Sequence, residues 1–278
     1  MFSPYYALAR RRRDADPFGH CAVNVVLSGP RQRWAMTERG QSCVQADSRS
    51  LIIGDSALRW IGGALHVEIR ERGCPIPARL RGSVTVRPLV TPGRCFALDA
   101  HGAHVWWPLA PRAAIEVHFT QPKAVWSGTA YLDANAGTRS LEQDFSGWSW
   151  ARSALPAGSA VFYDLQPRHA PAHSLSLLFD AAGDAQELTA PSLCALPASR
   201  WGIARSAHCE QPSVGEPGVP RVLRTLVDAP FYARSLLRTR LAGQEVMTVH
   251  ESLDLDRFRR PWVQCLLPFR MPRWPLFA

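Results

Sequence analysis

A histidine, a tryptophan, a tyrosine and an aspartate stand at spacings that let them share one site. His104 and Trp106 lie in His104-Val105-Trp106-Trp107, and Tyr131 and Asp133 lie in the stretch Ala124-Val125-Trp126-Ser127-Gly128-Thr129-Ala130-Tyr131-Leu132-Asp133-Ala134-Asn135-Ala136-Gly137. A carboxyl group and an imidazole give and take protons near neutral pH once their surroundings tune them. Indole and phenol rings offer electron-rich faces to a positive charge. Val125, Thr129 and Tyr131 favour extended backbone, so 124–133 is predicted to be a strand whose side chains alternate between two faces. Tyr131 and Asp133 then project together, with Val125, Ser127 and Thr129, while Trp126, Gly128, Ala130 and Leu132 face the other way. The same alternation puts His104 and Trp106 on one face of a neighbouring strand that ends at Pro108. No nucleotide or metal motif lies nearby, so neither a cofactor nor a metal is expected. The same four residues also read as a buried polar cluster of a β core, with Tyr131 and Asp133 bonded to one another, because such clusters are often structural.

The elements that must position these side chains are mostly strands. From His20 the pattern is extended: His20–Leu27, a Ser28-Gly29-Pro30 turn, then Arg33–Glu38. Leu58–Ile61 and Ala64–Ile69 flank Gly62-Gly63, a pair that permits the positive φ of a two-residue hairpin turn. Arg79–Pro88 alternates, and Ala113–Phe119 with Ala124–Asp133 forms a hairpin around Gln121-Pro122-Lys123, with Glu116 and His118 facing solvent. The run from Asp133 to Phe145 is loop-like, and a domain boundary is placed there, giving blocks 1–145 and 146–278.

The second block repeats the style of the first. Ser159–Leu165, Ser174–Phe179 and Ala185–Thr189 read as strands, and Gln211–Pro220 as a Pro/Gly-rich surface loop. Phe231–Leu241 and Glu245–Leu253 read as a hairpin around Ala242-Gly243-Gln244, although Tyr232, Leu236 and Leu237 also suit a helix. Asp254–Phe269 is the one predicted helix, broken early by Pro261. The first 18 residues, aromatic and basic, suit an ordered lid, a surface tail or a membrane-touching arm equally well. Two β blocks of short strands and frequent turns define an all-β chain of two barrels or sandwiches with little helix.

A length of 278 residues suffices for one large or two medium domains. With 32 basic against 23 acidic residues the formal charge is +9, which suits an anionic partner surface. The seven cysteines are odd in number and contain no Cys-x-x-Cys, which argues against a disulfide framework or a zinc site and for a reducing compartment. The short apolar Tyr5–Ala9 precedes the basic Arg10–Arg13, the reverse of a signal peptide, and no apolar run approaches the roughly 18 residues of a membrane span. A cytoplasmic protein, soluble or peripheral, is expected.

Dinucleotide, Walker, nucleophile-elbow and His-Glu-x-x-His signatures are absent, which argues against dehydrogenase, ATPase, esterase-type hydrolase and zinc protease. His101 and His104 fall on opposite faces of a strand, His169 and His173 sit in a Pro-rich loop, and Asp254 and Asp256 lie beside Arg257, Arg259 and Arg260 as surface pairs. Basic residues interleaved with exposed aromatics on one sheet face are not evident, so a nucleic-acid partner is not expected.

Several longer motifs carry a family resemblance. Phe2-Ser3-Pro4-Tyr5-Tyr6, Arg33-Trp34-Ala35-Met36-Thr37-Glu38-Arg39-Gly40, His104–Pro108, Trp126-Ser127-Gly128, Tyr131–Gly137, Trp201-Gly202-Ile203-Ala204-Arg205 and His250-Glu251-Ser252-Leu253 together resemble the acyclic carotenoid 1,2-hydratases of phototrophic bacteria, also called hydroxyneurosporene synthases. The resemblance runs over nearly the whole chain. It implies tandem lipocalin-like β-barrels and a cofactor-independent lyase of carotenoid biosynthesis that adds water across the terminal C1–C2 double bond of neurosporene or lycopene. The family's His, Trp, Tyr and Asp match His104, Trp106, Tyr131 and Asp133. Relative to the wider lipocalin-like hydratase group, Ala134 and Ala136 replace a His after the Asp and a Trp before the Gly, which puts a mechanism needing that second His in doubt.

Read this way, Asp133 in an apolar pocket is the general acid, Trp106 and Tyr131 face the tertiary cation, and His104 orients the water and accepts its proton, with the His and Asp roles open to exchange. The partners implied are an acyclic carotenoid, water and an anionic membrane touched peripherally, the inner or the photosynthetic membrane. The basic Arg10–Arg13 and the C-terminal Phe269–Phe277 touch the bilayer on this reading, and read equally as a solvated arm and a packed tail. A carrier of apolar ligands shares the barrels but has no need of Asp133.

Overall fold

The computed structural model describes residues 2–12, 15–29, 32–156, 158–210 and 220–274. Most of the expected loop 211–220 therefore lies outside the described residues, as do Arg13 and the last residues of the C-terminal tail. The chain divides into two compact units: Met1–Leu89, Ala113–Tyr131 and Gln264–Ala278 form the first, Val90–Arg112 and Leu132–Val263 the second. The strands His104–Gln121 and Lys123–Gly137 contribute residues to both.

In the first unit, short antiparallel strands follow one another in sequence order. Val44–Ala46, Ser50–Ile53, Ser56–Ile61, Ala64–Arg72 and Arg79–Pro88 each pair with the next, and Arg79–Pro88 pairs with residues 113–121 of the following strand. The predicted Gly-Gly hairpin forms as expected. Ile61 pairs with Ala64, and Gly62 and Gly63 have φ of 57° and 75°, which a side chain would strain. Cys21–Leu27, Arg33–Arg39 and Arg273–Trp274 make a second, smaller sheet. Between the sheets lie Val25, Ala35, Ile69, Leu80, Val117 and Phe119.

The first residues form a helix, Pro4–Arg12, with Arg10, Arg11 and Arg12 in its last turn. Its start is tied down. Ser3 is buried, donates its hydroxyl to the Glu38 carboxylate and accepts from the Tyr6 backbone N–H at 2.9 Å. Glu38, wholly buried, also meets His20 Nδ1 at 2.8 Å and the Arg273 guanidinium. A buried carboxylate needs such partners, so Phe2–Tyr6 and Arg33–Gly40, far apart in sequence, are one structural knot.

The second unit is built on a sheet ordered Ala185–Glu187, His173–Phe179, Gly158–Pro167, Phe145–Leu155, Gln244–Asp254, Tyr232–Leu241 and Arg221–Ala229. The residues that also suited a helix are strand: Tyr232–Leu241 and Gln244–Asp254 pair in full register. Leu193–Leu196 and Arg205–His208 form a separate two-stranded ladder, and Ala151, Ala160, Phe162, Leu241 and Val246 make a core cluster. Leu255–Phe258 and Pro261–Leu266 are separate helices, so the expected helix is interrupted at Pro261.

The fold is mostly β with little helix, as the sequence predicts. Closure into barrels is not seen: among the described pairings no sheet returns to its first strand. Val44–Ala46 and Ala185–Glu187, three residues each, are short strands at one end of their sheets. The break expected at Pro108 is also absent. His104–Gln121 is one strand, because Pro108 and Pro111 fall between its pairing with Phe96–Ala97 at 105–106 and its pairing with Arg79–Pro88 from Ala113 onward. A missing N–H costs no ladder bond on that side. The stretch after Asp133 is not loop-like: the strand runs on to Gly137, and Leu141–Asp144 is a helical turn.

Candidate active site

Strand alternation delivers the first two side chains. In His104-Val105-Trp106-Trp107 the odd partners differ sharply: His104 and Trp106 are fully buried, while Trp107 is exposed. The entry to this strand is fixed by Asp99, whose carboxylate accepts the backbone N–H groups of His101 at 2.8 Å, Ala103 at 3.1 Å and His104 at 2.7 Å. Burial alone would raise the Asp99 pKa, but those N–H groups stabilise its charged form and hold it below the ordinary value. Loop 99–104 is thus an anchored turn that sets where His104 starts.

His104 is gripped from its far side. Its Nε2 lies 2.8 Å from Asp144 Oδ2, and Arg139 donates to the same carboxylate through Nε to Oδ2 and through its terminal amine to Oδ1, each at 2.9 Å. Burial would raise the Asp144 pKa, but the bonds from His104 and Arg139 outweigh it and lower it. Asp144 is therefore an acceptor, and His104 Nε2 donates to it, which leaves Nδ1 as the nitrogen turned away from that carboxylate. Gly137 makes this seat possible, since a Cβ there would lie 2.7 Å from His104 Nδ1.

Trp106 donates its indole N–H to Asp133 Oδ2 at 2.8 Å. Around the indole stand Phe96 (ring centroids 5.5 Å apart), Tyr163 (5.8 Å, edge-on) and Phe179 (6.4 Å, edge-on). Trp148 meets Tyr163 at 5.9 Å and Phe145 at 6.3 Å, and Phe145 meets His104 at 5.1 Å. These aromatic contacts run continuously from His104 to the indole that holds Asp133. The Tyr163 phenol is driven far up by burial, then by the charges of Asp133 and Glu251, so it stays protonated. Glu251 lies in the same cross-strand row: Tyr163 pairs with Trp150, Trp150 with Glu251, and Glu251 with Arg234, whose Nε donates to Glu251 at 2.8 Å.

Of the four residues singled out in the sequence, His104, Trp106 and Asp133 gather in the second unit. Tyr131 ends the Ala113–Tyr131 segment of the first unit, two positions before half-buried Asp133 on the same strand. Asp133 has Trp106 as a hydrogen-bond partner. Trp106 is completely enclosed, and its contact with Asp133 is through the indole N–H. Sequence reasoning missed Asp144, Asp99, Tyr163 and Gly137. The first of these gives no signal, because it reaches His104 only through the fold. Gly137 was visible as the last residue of the Tyr131–Gly137 motif. Among the described residues, no three His, Cys, Asp or Glu side chains are grouped to hold a metal ion.

Fold and site define a mostly β protein in which a carboxylate is held by an indole inside a wall of aromatic rings, beside an Asp-bound imidazole. Residues 1–277 match the family model of the carotenoid hydratase CrtC. An acyclic carotenoid 1,2-hydratase of Thiocapsa roseopersicina is 47% identical over 275 residues, 98% of this chain and 67% of its own length. The acyclic carotenoid 1,2-hydratase of Rubrivivax gelatinosus is 40% identical over 278 residues, at 98% and 67%, and that of Cereibacter sphaeroides 36% over 277 residues, at 99% and 96%. The chain belongs to the carotenoid hydratase CrtC family. It is accordingly an enzyme of the hydro-lyase class. Among solved structures, that of CghA is similar over 80% of each chain, with a TM-score of 0.46 and 10% identity.

Proposed function

We propose that the chain hydrates the terminal C1–C2 double bond of an acyclic carotenoid, neurosporene or lycopene, without a cofactor, giving the 1-hydroxy product. The observation that supports this reading is the Asp133 carboxyl fixed by the Trp106 indole in an aromatic wall, in a chain of the carotenoid hydratase family. Hydrating a trisubstituted alkene needs a proton at the less substituted carbon, relief for the tertiary cation, and water at that cation.

Asp133 supplies the proton. An indole N–H can only donate, so Oδ2 remains an acceptor in either charge state and the transferable proton sits on Oδ1. The proton forms the C2–H bond, the π electrons leave C1 as the tertiary cation, and water attacks C1. His104 takes the excess proton on Nδ1, because Asp144 keeps Nε2 protonated. Returning that proton to Asp133 restores the site, and one water is consumed in all. Tyr131 is the ring we assign to the cation, a role worth about 0.5–2 kcal/mol. Trp106 acts by holding Asp133. Its N–H also favours the carboxylate that remains after proton transfer, so acid and conjugate base share one position.

Incubating the purified chain anaerobically with lycopene in ¹⁸O-labelled water, without added cofactor, tests this. The expected product is a labelled 1-hydroxy carotenoid that is lost in Asp133→Asn. Retention of unchanged lycopene by well-folded protein supports a carrier and defeats the proposal. A substrate of this kind dissolves in a bilayer, so we also read the chain as working at a membrane surface.

A further inference from the structure

The strands Ala64–Arg72 and Arg79–Pro88 put like charges directly opposite one another. Arg70 pairs with Arg81 and Arg72 with Arg79, and all four side chains are exposed on one face. Opposed side chains of an antiparallel pair sit about 4.5–5.5 Å apart at Cβ, where like charges destabilise the sheet. None of the four has a carboxylate within ion-pair distance among the described residues. Glu68, the carboxylate on that face of the same strand, is 3.7 Å from Arg59. Glu71 faces the other way, buried against Arg39 and Ser56. Arg70 and Arg81 also line an open recess with Glu68, Gly82 and Thr120.

The loop joining these strands ends the arginine block in an apolar tip. Gly73 and Ala78 close it, with the Gly73 N–H bonded to the Ala78 carbonyl at 2.7 Å, and Ile76 at its apex is 78% exposed between Pro75 and Pro77. Cys74 Sγ lies 3.1 Å from the carbonyl of Phe269, itself 68% exposed. Arg270 follows, exposed and stacked at 4.8 Å over Trp34, whose carbonyl crowds Gly73. Exposed Ile and Phe side chains beside four guanidinium groups that lack a carboxylate partner among the described residues have the composition of an interfacial contact: apolar groups to enter the bilayer, cations for its headgroups.

We infer that this face, Arg70, Arg72, Arg79 and Arg81 with the Ile76 and Phe269 tip, docks the chain on an anionic lipid bilayer. Lipid phosphates supply the counter-charge that the opposed arginines lack, and the tip enters the headgroup layer beside them. Duplex nucleic acid fits less well, since it has no use for an apolar apex of Ile between two prolines. The inference extends our reading of a membrane-dissolved substrate, but it rests on charge and exposure in the first unit. Carotenoid-free vesicles therefore test it separately from hydration.

The experiment is co-sedimentation of the full chain with vesicles of phosphatidylcholine alone and of phosphatidylcholine mixed with phosphatidylglycerol. Binding is expected on the mixed vesicles, weak on the neutral ones, and reduced by salt. Each of Arg70→Gln, Arg72→Gln, Arg79→Gln and Arg81→Gln should weaken it about fivefold, and Ile76→Asp about tenfold. Arg81→Glu separates docking from folding. It puts a carboxylate opposite Arg70, so the thermal midpoint should rise while vesicle binding falls. Undiminished binding by these variants overturns the inference, as does failure of the wild-type chain to bind anionic vesicles. Salt-sensitive binding to duplex DNA that depends on the arginines but not on Ile76 assigns the face to nucleic acid instead.

Discussion

The Trp106 indole N–H donates to Asp133, and Trp106→Phe removes that bond while leaving a ring between Phe96, Tyr163 and Phe179. A hydrogen bond to a charged group contributes about 1.5–3 kcal/mol, so kcat for hydration should fall about 10–100-fold, with the larger loss in Asp133→Asn. Gly137→Ala should displace His104, because the new Cβ would sit 2.7 Å from Nδ1. Its expected cost is about 1–3 kcal/mol in denaturant unfolding, with activity lost as well. Acid stability carries a third signature. The Asp144 carboxyl titrates below its ordinary 3.8 in the folded chain, so its contribution is complete above that value and is lost as pH falls through the folded pKa. Thermal midpoints of Asp144→Asn should therefore approach those of the wild type as the pH is taken below about 4. His104, Trp106 and Asp133 were legible because a two-residue period is local to a strand. Asp144, 40 residues from His104, and Tyr163, 30 from Asp133, were not, since only the fold brings them in.

Turn chemistry was read well at the scale of elements, and strand length was read poorly. Gly62-Gly63 announces its hairpin through a backbone requirement that few residues meet. Two prolines in His104–Gln121 suggested an ending, but their effect depends on which N–H groups have partners, and only the sheet decides that. The helix Pro4–Arg12 was hidden because its start is held by Ser3 on distant Glu38 rather than by a local cap alone. Another two-residue hairpin, Leu241 to Gln244, holds Ala242 at a φ of 51°, with Glu210 accepting the N–H groups of Ala242 and Gly243 at 2.7 and 2.8 Å. Ala242→Asn should relieve the left-handed backbone and raise the thermal midpoint, by an amount worth about 1 kcal/mol.

The ladder Arg205–His208 is tied to the main sheet of its unit by His208 Nε2, 2.9 Å from Asp164 on Gly158–Pro167. Burial lowers the His208 pKa, but the bonds to Asp164 and the Pro191 carbonyl raise it above 6.5 overall. The stability it adds is present below 6.5 and lost as pH rises through the folded value. His208→Gln should flatten that alkaline loss in urea melts taken on both sides of 6.5.

Charge and sheet topology belong to the whole molecule. The excess of nine positive charges pointed to an anionic partner without placing it, because placement depends on register: Arg70 opposite Arg81 and Arg72 opposite Arg79. The all-β class was legible in strand periods and turns, whereas barrel closure depends on edge strands that the pattern cannot pair, and the described sheets stay open. No described helix is long and apolar enough to cross a membrane. Hydration by Asp133 is the claim on which the functional account turns, and deuterium reports on it directly. Lycopene incubated with the chain in D₂O should yield a 1-hydroxy carotenoid with deuterium on C2, and Asp133→Asn of unchanged circular dichroism should yield none. Labelled product from Asp133→Asn at the wild-type rate would contradict the account.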